Sequence, residues 1–427
     1  MECDRYPLPD RVGSYGSKEQ YQAAGEHLGQ WVLWKDRVDL VLAGRYDEVM
    51  PLHVELSPTY LCNFACPWCS CRTAREDWSD EDVFNHPNAT DSTVMAKEKL
   101  DRILSNLAQH RVGIQWVGGE PTMHPLLYPA ALRANELGLK QCLFTNGSLL
   151  SARRIDTLLD AELVFIRVSL DAATRQVHEL HHGYRPERGY HGRVIDNLWQ
   201  LAVRRRDRKA RTMLGVSIVV DECNINDLIP TFRFLREMCE DIGFGAIDYV
   251  ICRPTYQFYN AQLRLYSDTR STLAELLEEG SEARRLLDEV GIALVAPQSS
   301  FSRPDLPILN LSSEACLSSG WFGEINANGD YVLCSDRYGN PDYFIGNLGE
   351  SSLDELWQGD GRGRVLESVE RTSCLSKQCP RNGRGFHFNR IFHEIEHFRR
   401  QGRMAEVRTW IDDLRSVVPH IDHSFFL

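Results

Sequence analysis

Short apolar runs alternate with amphipathic stretches between residues 51 and 254. Six runs, each four to eight residues long, read as strands: 53–56, 114–117, 142–145, 164–170, 213–220 and 247–252. Between them apolar residues recur at helical spacing, as at Leu100, Ile103, Leu104 and Leu107. Strands that alternate with helices predict βα units and a parallel sheet. Because a complete barrel needs eight such units, the fold class predicted here is α/β with a partial (β/α)6 barrel.

The rest of the chain predicts four further segments. Residues 1–50 are expected to form an extension with a helix over 21–38, and the barrel to span 51–260. A linker with a charged helix over 273–290 should follow in 261–309. Residues 310–385 are rich in Gly, Asn and Cys and predict a small loop-dominated domain without an apolar core of its own. A helical segment over 386–427, with its helix at 388–418, should end the chain.

Composition and charge exclude several classes of protein. Hydrophobic residues make up 43% of the 427 residues, charged residues 25%, and the net charge is −12. An acidic chain without a broad basic patch argues against nucleic-acid binding. Neither a membrane span nor a signal peptide is apparent, which predicts a cytoplasmic protein without a membrane partner. Thirteen cysteines in a reducing compartment favour metal ligation over disulfides.

Cys62, Cys66 and Cys69 directly follow the first predicted strand, in a C-x3-C-x2-C spacing. Thiolates select zinc or iron–sulfur clusters. Three thiolates can hold three irons of a cubane and leave the fourth iron open to a ligand. A zinc site that lacks its fourth ligand is the alternative.

This triplet, with Trp68 before its last cysteine, resembles the radical S-adenosylmethionine (SAM) superfamily. The resemblance extends over about 200 residues, because further motifs of that family recur in order at the predicted strand ends. It implies that these motifs bind S-adenosylmethionine through Gly118, Gly119, Glu120, Asn146, Ser169, Asp171 and Asn224.

The resemblance also implies the chemistry. A [4Fe–4S] cluster would bind the amino and carboxylate groups of S-adenosylmethionine and cleave its C–S bond. The resulting 5′-deoxyadenosyl radical would take a hydrogen atom from the substrate, with electrons supplied by a flavodoxin- or ferredoxin-like donor. Glu120 would offset the ammonium charge, and the preceding glycines would let the backbone approach the ligand.

A second cysteine set lies in residues 310–385. Twelve residues separate Cys316 from Gly329, four separate Gly329 from Cys334, and Cys374 and Cys379 follow. This spacing resembles the SPASM and twitch auxiliary-cluster domains of the same superfamily. No cysteine follows Cys379, which favours the short twitch form with one [4Fe–4S] cluster; a tetrahedral zinc site with four thiolate ligands is the alternative. The Asn328-Gly329 pair predicts a hairpin turn that brings Cys316 and Cys334 together.

The reaction expected from these features is oxidation of a small molecule, such as an aminocyclitol or aminoglycoside-type sugar in antibiotic biosynthesis. Glu55, Asp248 and Glu324 are candidate partners for its ammonium groups. Redox-neutral epimerisation is the first alternative, with Cys223 or Cys252 as the hydrogen donor. A peptide-modifying maturase and a non-enzymatic iron–sulfur or zinc protein are the others.

Overall fold

A computed structural model describes residues 30–69, 94–184, 186–255, 267–296, 315–337, 340–372, 374, 379 and 384–417. Ten strands in these residues form one open sheet in the order β10-β9-β8-β1-β2-β3-β4-β5-β6-β7. All neighbours from β8 through β1 to β7 pair in parallel, and β9 pairs antiparallel with β8 and β10. The strands are β1 (His53–Leu56), β2 (Gly113–Trp116), β3 (Gln141–Thr145), β4 (Phe165–Ser169), β5 (Met213–Val220), β6 (Tyr249–Pro254), β7 (Ala293–Val295), β8 (Phe322–Ile325), β9 (Asp330–Val332) and β10 (Phe344–Asn347).

Helices cover one face of this sheet, here called the outer face. Apolar side chains of these helices and every second residue of the strands share one large core. The helices of the described residues, in chain order, are α1 (Lys35–Ala43), α2 (Lys97–Gln109), α3 (Leu127–Glu136), α4 (Ala152–Asp160), α5 (Arg175–His182), α6 (Tyr190–Asp207), α7 (Leu228–Ile242), α8 (Ser267–Leu276), α9 (Glu282–Asp288), α10 (Leu353–Gln358), α11 (Asp360–Arg371), α12 (Arg384–Arg400) and α13 (Met404–Val417).

The opposite face, here called the inner face, has a second core at the amino-terminal ends of the strands. Residues of α1 and α12 pack there against the inward-pointing side chains of the strands. Trp321 stacks on Phe388, with ring centroids 6.0 Å apart, and both side chains are buried. α1 and α12 therefore close the bottom of the inner face, away from the strand ends that precede the predicted site residues.

The six predicted strands are all present, with ends that differ by at most two residues. The predicted helix over 273–290 is wrong, because α8 ends at Leu276 and Gly280, at φ +78°, precedes α9. The predicted terminal helix is likewise divided into α12 and α13 at Gly402, with φ +73°. Part of the predicted helix over 21–38 lies outside the described residues, and α1 covers 35–43. No helix in the described ranges is long and apolar enough to cross a bilayer.

Residues 315–372 differ most from the sequence analysis. The predicted hairpin is confirmed: β8 and β9 pair antiparallel around Gly329, whose φ is +90°. The prediction of a loop-dominated segment is wrong, because the segment contains β8, β9, β10, α10 and α11. Its buried Tyr331, Leu348 and Trp357 belong to the main core and not to a separate one. The domain extends the barrel sheet through the β1–β8 pairing and adds its hydrophobic residues to the same interior.

Asp248, one of the three candidate ammonium partners, is instead part of the scaffold. Its carboxylate forms a buried ion pair with Arg205 of α6, the two side chains being 3% and 8% exposed. It also accepts a hydrogen bond of 2.7 Å from the Leu214 N–H. These contacts join α6 to β5 and β6 on the outer side. Because Arg205 already neutralises Asp248, the prediction that Asp248 binds an ammonium group of the substrate is wrong.

Replacing Asp248 with Asn should therefore reduce stability. The substitution leaves the Arg205 guanidinium buried without its counter-charge, for which a loss of about 3–5 kcal/mol is expected. Asp156→Asn is the matched control, because Asp156 pairs with Arg204 at the surface, with both side chains 37% exposed, and exposed pairs contribute about 0–1 kcal/mol. Denaturant unfolding measures both variants; equal losses would contradict the scaffold role.

Candidate functional site

The loop that carries Cys62, Cys66 and Cys69 rests on the carboxyl-terminal end of α5. The N–H of Ala65 donates to the carbonyl of His182 at 3.0 Å, and the indole N–H of Trp68 donates to the carbonyl of His181 at 3.2 Å. The last carbonyls of a helix have no partner within the helix. The cysteine loop satisfies them, and this fixes the position of the loop after β1.

Three groups lie in line here: the partly buried Cys66 of the loop, and the buried His182 and Asp171 beneath it. The Cys66 Sγ lies 3.2 Å from Nδ1 of His182, and Nε2 of His182 lies 3.3 Å from Oδ2 of Asp171. Oδ1 of Asp171 accepts a 2.6 Å hydrogen bond from the Val219 N–H. Burial raises the pKa of Asp171 to about 6, against the opposing effect of the neighbouring His181. The predicted Asp171 thus connects the cysteine loop to β5, while His182 was missed by sequence reasoning.

The Gly118-Gly119-Glu120 segment lies beside residues 59–61, which lead from β1 into the cysteine loop. The N–H of Gly119 donates to Thr59 and that of Glu120 donates to Leu61, at 3.0 and 2.7 Å. A Cβ added at Gly119 would lie 2.3 Å from the Leu61 carbonyl oxygen. These glycines therefore allow two stretches of the chain to meet; their predicted approach to the cofactor stays a prediction.

The Glu120 carboxylate is only 1% exposed and is held by protein donors. It accepts hydrogen bonds from the Thr122 N–H at 3.0 Å, the Thr145 hydroxyl at 2.6 Å and the Asn146 N–H at 2.7 Å. Burial raises its pKa. The side chain links the ends of β2 and β3; its predicted contact with the ammonium group stays a prediction.

Two asparagine side chains that were predicted to bind the cofactor also connect loops. Nδ2 of Asn146 donates to Oδ1 of Asn63 in the cysteine loop at 2.9 Å. Nδ2 of Asn224 donates to the carbonyls of Asp171 and Val219, both at 2.9 Å. Ser169 ends β4 and is partly exposed. The predicted cofactor residues thus gather at one edge of the sheet, around the cysteine loop.

The two candidate hydrogen donors occupy different surroundings. Cys252 is fully buried in the core between the sheet and the outer helices. Its position at the end of a strand predicted that it faces the inner side. The structure shows that it does not, which corrects its assignment as a hydrogen donor. Cys223 lies with His181 and Asp221, and one ligand atom from each falls within 4.8 Å of the others. Among the described residues this is the one such group of three or more metal-binding side chains.

The second cysteine set lines a single cavity that contains Cys316, Cys334, Cys374 and Cys379. Two donors point at Cys374 Sγ: the Arg337 guanidinium and the Tyr343 hydroxyl, each at 3.3 Å. Arg337 is 2% exposed. Nδ2 of Asn389, from α12, lies 3.4 Å from Cys316 Sγ. Sequence reasoning found the cysteines but not these donors, which come from separate loops and a helix.

Both cysteine sets fit iron–sulfur clusters. Burial, followed by the nearby Glu120, raises the pKa of Cys62 to about 12, and burial with Cys69 and Asp171 raises that of Cys66. A cationic metal centre would offset the negative charge of these buried groups. A single zinc ion needs sulfurs at about 2.3 Å, and within the described part of the chain no three cysteine sulfurs lie within 4.8 Å of one another. The ligands of a cluster bind separate irons, and the four cysteines of the second set line one cavity.

Comparison with known families identifies two domains. Residues 56–190 match the radical SAM superfamily, and residues 316–380 match SPASM, an iron–sulfur cluster-binding domain.

Individual relatives are distant and differ in activity. An AdoMet-dependent heme synthase of Oleidesulfovibrio alaskensis is 23% identical over 336 residues, which are 75% of this chain and 78% of that protein. A dTDP-4-amino-4,6-dideoxy-D-glucose ammonia-lyase of Streptomyces venezuelae is 28% identical over 296 residues, 67% of this chain and 58% of that protein.

The fold is shared with Streptococcus suis SuiB. SuiB bound to S-adenosylmethionine superposes with a TM-score of 0.54 at 16% identity, covering 82% of this chain and 80% of SuiB. SuiB has also been solved with its precursor peptide SuiA. The small-molecule substrate predicted for this chain stays a prediction.

The contact between the cysteine loop and the end of α5 can be tested at Gly183. Gly183→Ala would place a Cβ 2.4 Å from the Ala65 carbonyl oxygen and should displace the loop, with the loss of about four irons per chain after reconstitution. Gly189→Ala is the control, since Gly189 has the same φ of +62° but no atom within 4 Å of the added Cβ; it should cost only about 1–2 kcal/mol of backbone strain. Equal iron contents in the two variants would show that the contact does not matter.

Proposed function

This chain is a radical SAM enzyme with a SPASM domain, and we propose that it oxidises a small aminated molecule and transfers one electron of that oxidation to an auxiliary iron–sulfur cluster. Cys62, Cys66 and Cys69 would hold the catalytic [4Fe–4S] cluster; Cys316, Cys334, Cys374 and Cys379 would hold the auxiliary one. When bound, the catalytic cluster and S-adenosylmethionine supply one-electron cleavage of the sulfonium and a hydrogen-abstracting group. The protein's own residues set the direction of electron flow.

The catalytic cysteines have negative neighbours. The Glu120 carboxylate acts on Cys62 and the Asp171 carboxylate acts on Cys66, and in both cases burial and negative charge raise the pKa of the thiol. Hydrogen bonds, net charge and burial set the reduction potential of an iron–sulfur centre. Buried negative charge opposes the addition of an electron, and a low potential suits a centre that must reduce a sulfonium.

The auxiliary cysteines have cationic and hydrogen-bonding neighbours. The Arg337 guanidinium and the Tyr343 hydroxyl both contact the Cys374 sulfur at 3.3 Å, in a buried site. Positive charge and hydrogen bonds to sulfur favour the reduced form of such a centre. This contrast between the two cysteine sets is the observation that carries the proposal, because it favours electron flow from substrate to the auxiliary site.

The proposed step balances as follows. A substrate carbon that bears a hydroxyl loses a hydrogen atom, which becomes part of 5′-deoxyadenosine. An auxiliary cluster held by Cys316, Cys334, Cys374 and Cys379 would take up the remaining electron while the hydroxyl loses a proton, so the alcohol would become a ketone. A flavodoxin- or ferredoxin-like protein exchanges electrons with the clusters. Cys252 in the outer core gives no support to the epimerisation route.

An amino sugar or aminocyclitol of an antibiotic pathway is the substrate class proposed. The ammonia-lyase relative acts, by its name, on an amino sugar nucleotide. SuiB, which shares this fold, has been solved with a precursor peptide. Peptide modification is therefore the alternative that experiments must distinguish from oxidation of an amino sugar or aminocyclitol.

Arg337→Met should lower the reduction potential of the auxiliary cluster by about 60–130 mV. Hydrogen bonds to charged groups contribute about 1.5–3 kcal/mol. For one electron, a tenfold change in the equilibrium constant corresponds to about 59 mV. Arg362→Met is the control: Arg362 is also buried but lies over the Trp357 ring, 4.7 Å from its centroid. Redox titration followed by electron paramagnetic resonance measures both. Equal potentials would remove the proposed driving force.

Cluster content and hydrogen tracing test the reaction itself. The wild type should bind about eight irons, and the Cys62→Ala, Cys66→Ala, Cys69→Ala triple variant should lose about four of them and all 5′-deoxyadenosine formation. Oxidation gives one 5′-deoxyadenosine per product and no deuterium from D2O. Four irons with one zinc would overturn the electron-acceptor role, and a product that gains one deuterium would establish epimerisation.

A further inference from the structure

A group of side chains outside both cysteine sets has the composition of a metal site. His181 lies in the last turn of α5, and Asp221 and Cys223 lie in the loop that directly follows β5. One ligand atom from each residue lies within 4.8 Å of the others. An imidazole, a carboxylate and a thiolate are the three kinds of side chain that bind zinc. Two separate elements of the chain therefore bring the ligands of such an ion together.

His181 is buried without a hydrogen-bonding partner. It is 1% exposed, and neither Nδ1 nor Nε2 makes a hydrogen bond within the described part of the chain. Nδ1 lies 3.4 Å from Oδ1 of Asp221, an approach that forms an ion pair only when the imidazole is charged. A buried polar group that is left unsatisfied costs free energy. An ion bound at one ring nitrogen would remove that cost.

The separations suit one tetrahedral ion. Zinc holds nitrogen and oxygen ligands at about 2.0–2.2 Å and sulfur at about 2.3 Å, which places its ligands about 3.3–3.6 Å from one another. The 3.4 Å between the His181 nitrogen and the Asp221 oxygen lies in that range. A separation as wide as 4.8 Å would need to shorten by only about 1 Å. A doubly charged ion with one thiolate and one carboxylate is also neutral as a unit, which suits a partly buried position.

The loop after β5 already holds its two ligands in place. The Asp221 carboxylate accepts a 2.8 Å hydrogen bond from the Cys223 N–H. The Asn224 side chain accepts a hydrogen bond from the Asp221 N–H at 2.9 Å and donates to two backbone carbonyls. On the other side, the ring centroid of His181 lies 5.1 Å from that of Trp68 in the cysteine loop. Contacts of this kind orient the ligands of a metal.

We propose that His181, Asp221 and Cys223 bind one zinc ion, a metal centre separate from both cysteine sets. Three protein ligands leave a fourth tetrahedral position, as in zinc sites that bind water or substrate. Asp221 and Cys223 are partly exposed, so water can complete the set. The ion would cross-link the end of α5 to the loop after β5. Zinc binding here does not depend on which substrate the enzyme takes.

The proposed zinc site also bears on the epimerisation route. A hydrogen donor must carry an S–H hydrogen, whereas the sulfur that binds a metal is a thiolate. Cys223 as a zinc ligand would therefore have no hydrogen atom to return to a substrate radical. Oxidation, the reaction proposed above, needs no such donor.

Metal analysis of the reconstituted enzyme tests the site. After anaerobic reconstitution, zinc is added in excess, loosely bound metal is removed by desalting, and iron and zinc are counted together. The wild type should retain about one zinc in addition to about eight irons. Zinc K-edge absorption should show one sulfur at about 2.3 Å and lighter ligands at about 2.0–2.2 Å. A zinc ion held instead by the second cysteine set would have four sulfur neighbours and displace about four irons.

Two substitutions each remove one ligand. Cys223→Ala and Asp221→Asn should each weaken zinc affinity at least about tenfold, since even changes to groups that only orient a metal ligand cost about 10–100-fold. Competition with a fluorescent chelator measures the affinity, and the iron content should stay unchanged. Glu222→Gln is the matched control, because it removes a charge from the exposed residue between the two ligands. Cys239→Ala, which removes a buried thiol of α7, is the control for the cysteine. Both controls should bind zinc as the wild type does.

Three results would overturn the zinc site. Retention of no zinc by the wild type would leave His181 and Asp221 as an ion pair only. Four sulfur neighbours would place the ion in the second cysteine set, and unchanged affinity in both ligand variants would place it elsewhere. If Cys223→Ala does not fold, Asp221→Asn alone decides, because asparagine keeps the oxygen that accepts the Cys223 N–H. Failure of the proposed oxidation is distinguishable, since it would abolish product formation while the zinc count persists.

Discussion

Buried carboxylates that find their partners within the protein hold the active-site loops of this chain in place. Glu120 joins the ends of β2 and β3 through Thr145 and Asn146, and Asp171 joins β4 to β5 through Val219. Each carboxylate lies 1% exposed, where a missing hydrogen bond would cost free energy. The loops that follow β2 and β3 are therefore joined to each other, as are those that follow β4 and β5, and the cysteine loop contacts both pairs through Asn63 and Cys66.

The same buried groups also create the electrostatic difference between the two cysteine sets. Carboxylates that fix the loops lie next to Cys62 and Cys66, whereas Arg337 and Tyr343 lie next to Cys374. At the first cysteine set, the contacts that fix the loops are therefore also part of the proposed redox difference. In a low-dielectric interior such charges act strongly, so a few residues suffice to separate the roles of two centres with similar thiolate ligands.

Much of the fold could be predicted from sequence, because its signals are local. Apolar runs of strand length, helical spacing and the Asn328-Gly329 turn each depend on neighbouring residues, and the cysteines follow directly from spacing. The pairing of β1 with β8 depends on residues about 270 positions apart and leaves no local pattern. His182 and Arg337 were missed for a related reason: each is a single polar residue whose meaning comes from a loop distant in sequence that packs on it.

The position of β1 between β2 and β8 limits how this protein can be divided. Its last residue leads toward the cysteine loop, while one of its edges is hydrogen-bonded to the SPASM segment. A barrel released from that segment would expose an unpaired strand, which invites association with other chains. The auxiliary domain is consequently not an exchangeable module appended to a finished enzyme. Gain or loss of such a domain would require a substitute for that strand partner, so the two domains are expected to evolve as a single folding unit.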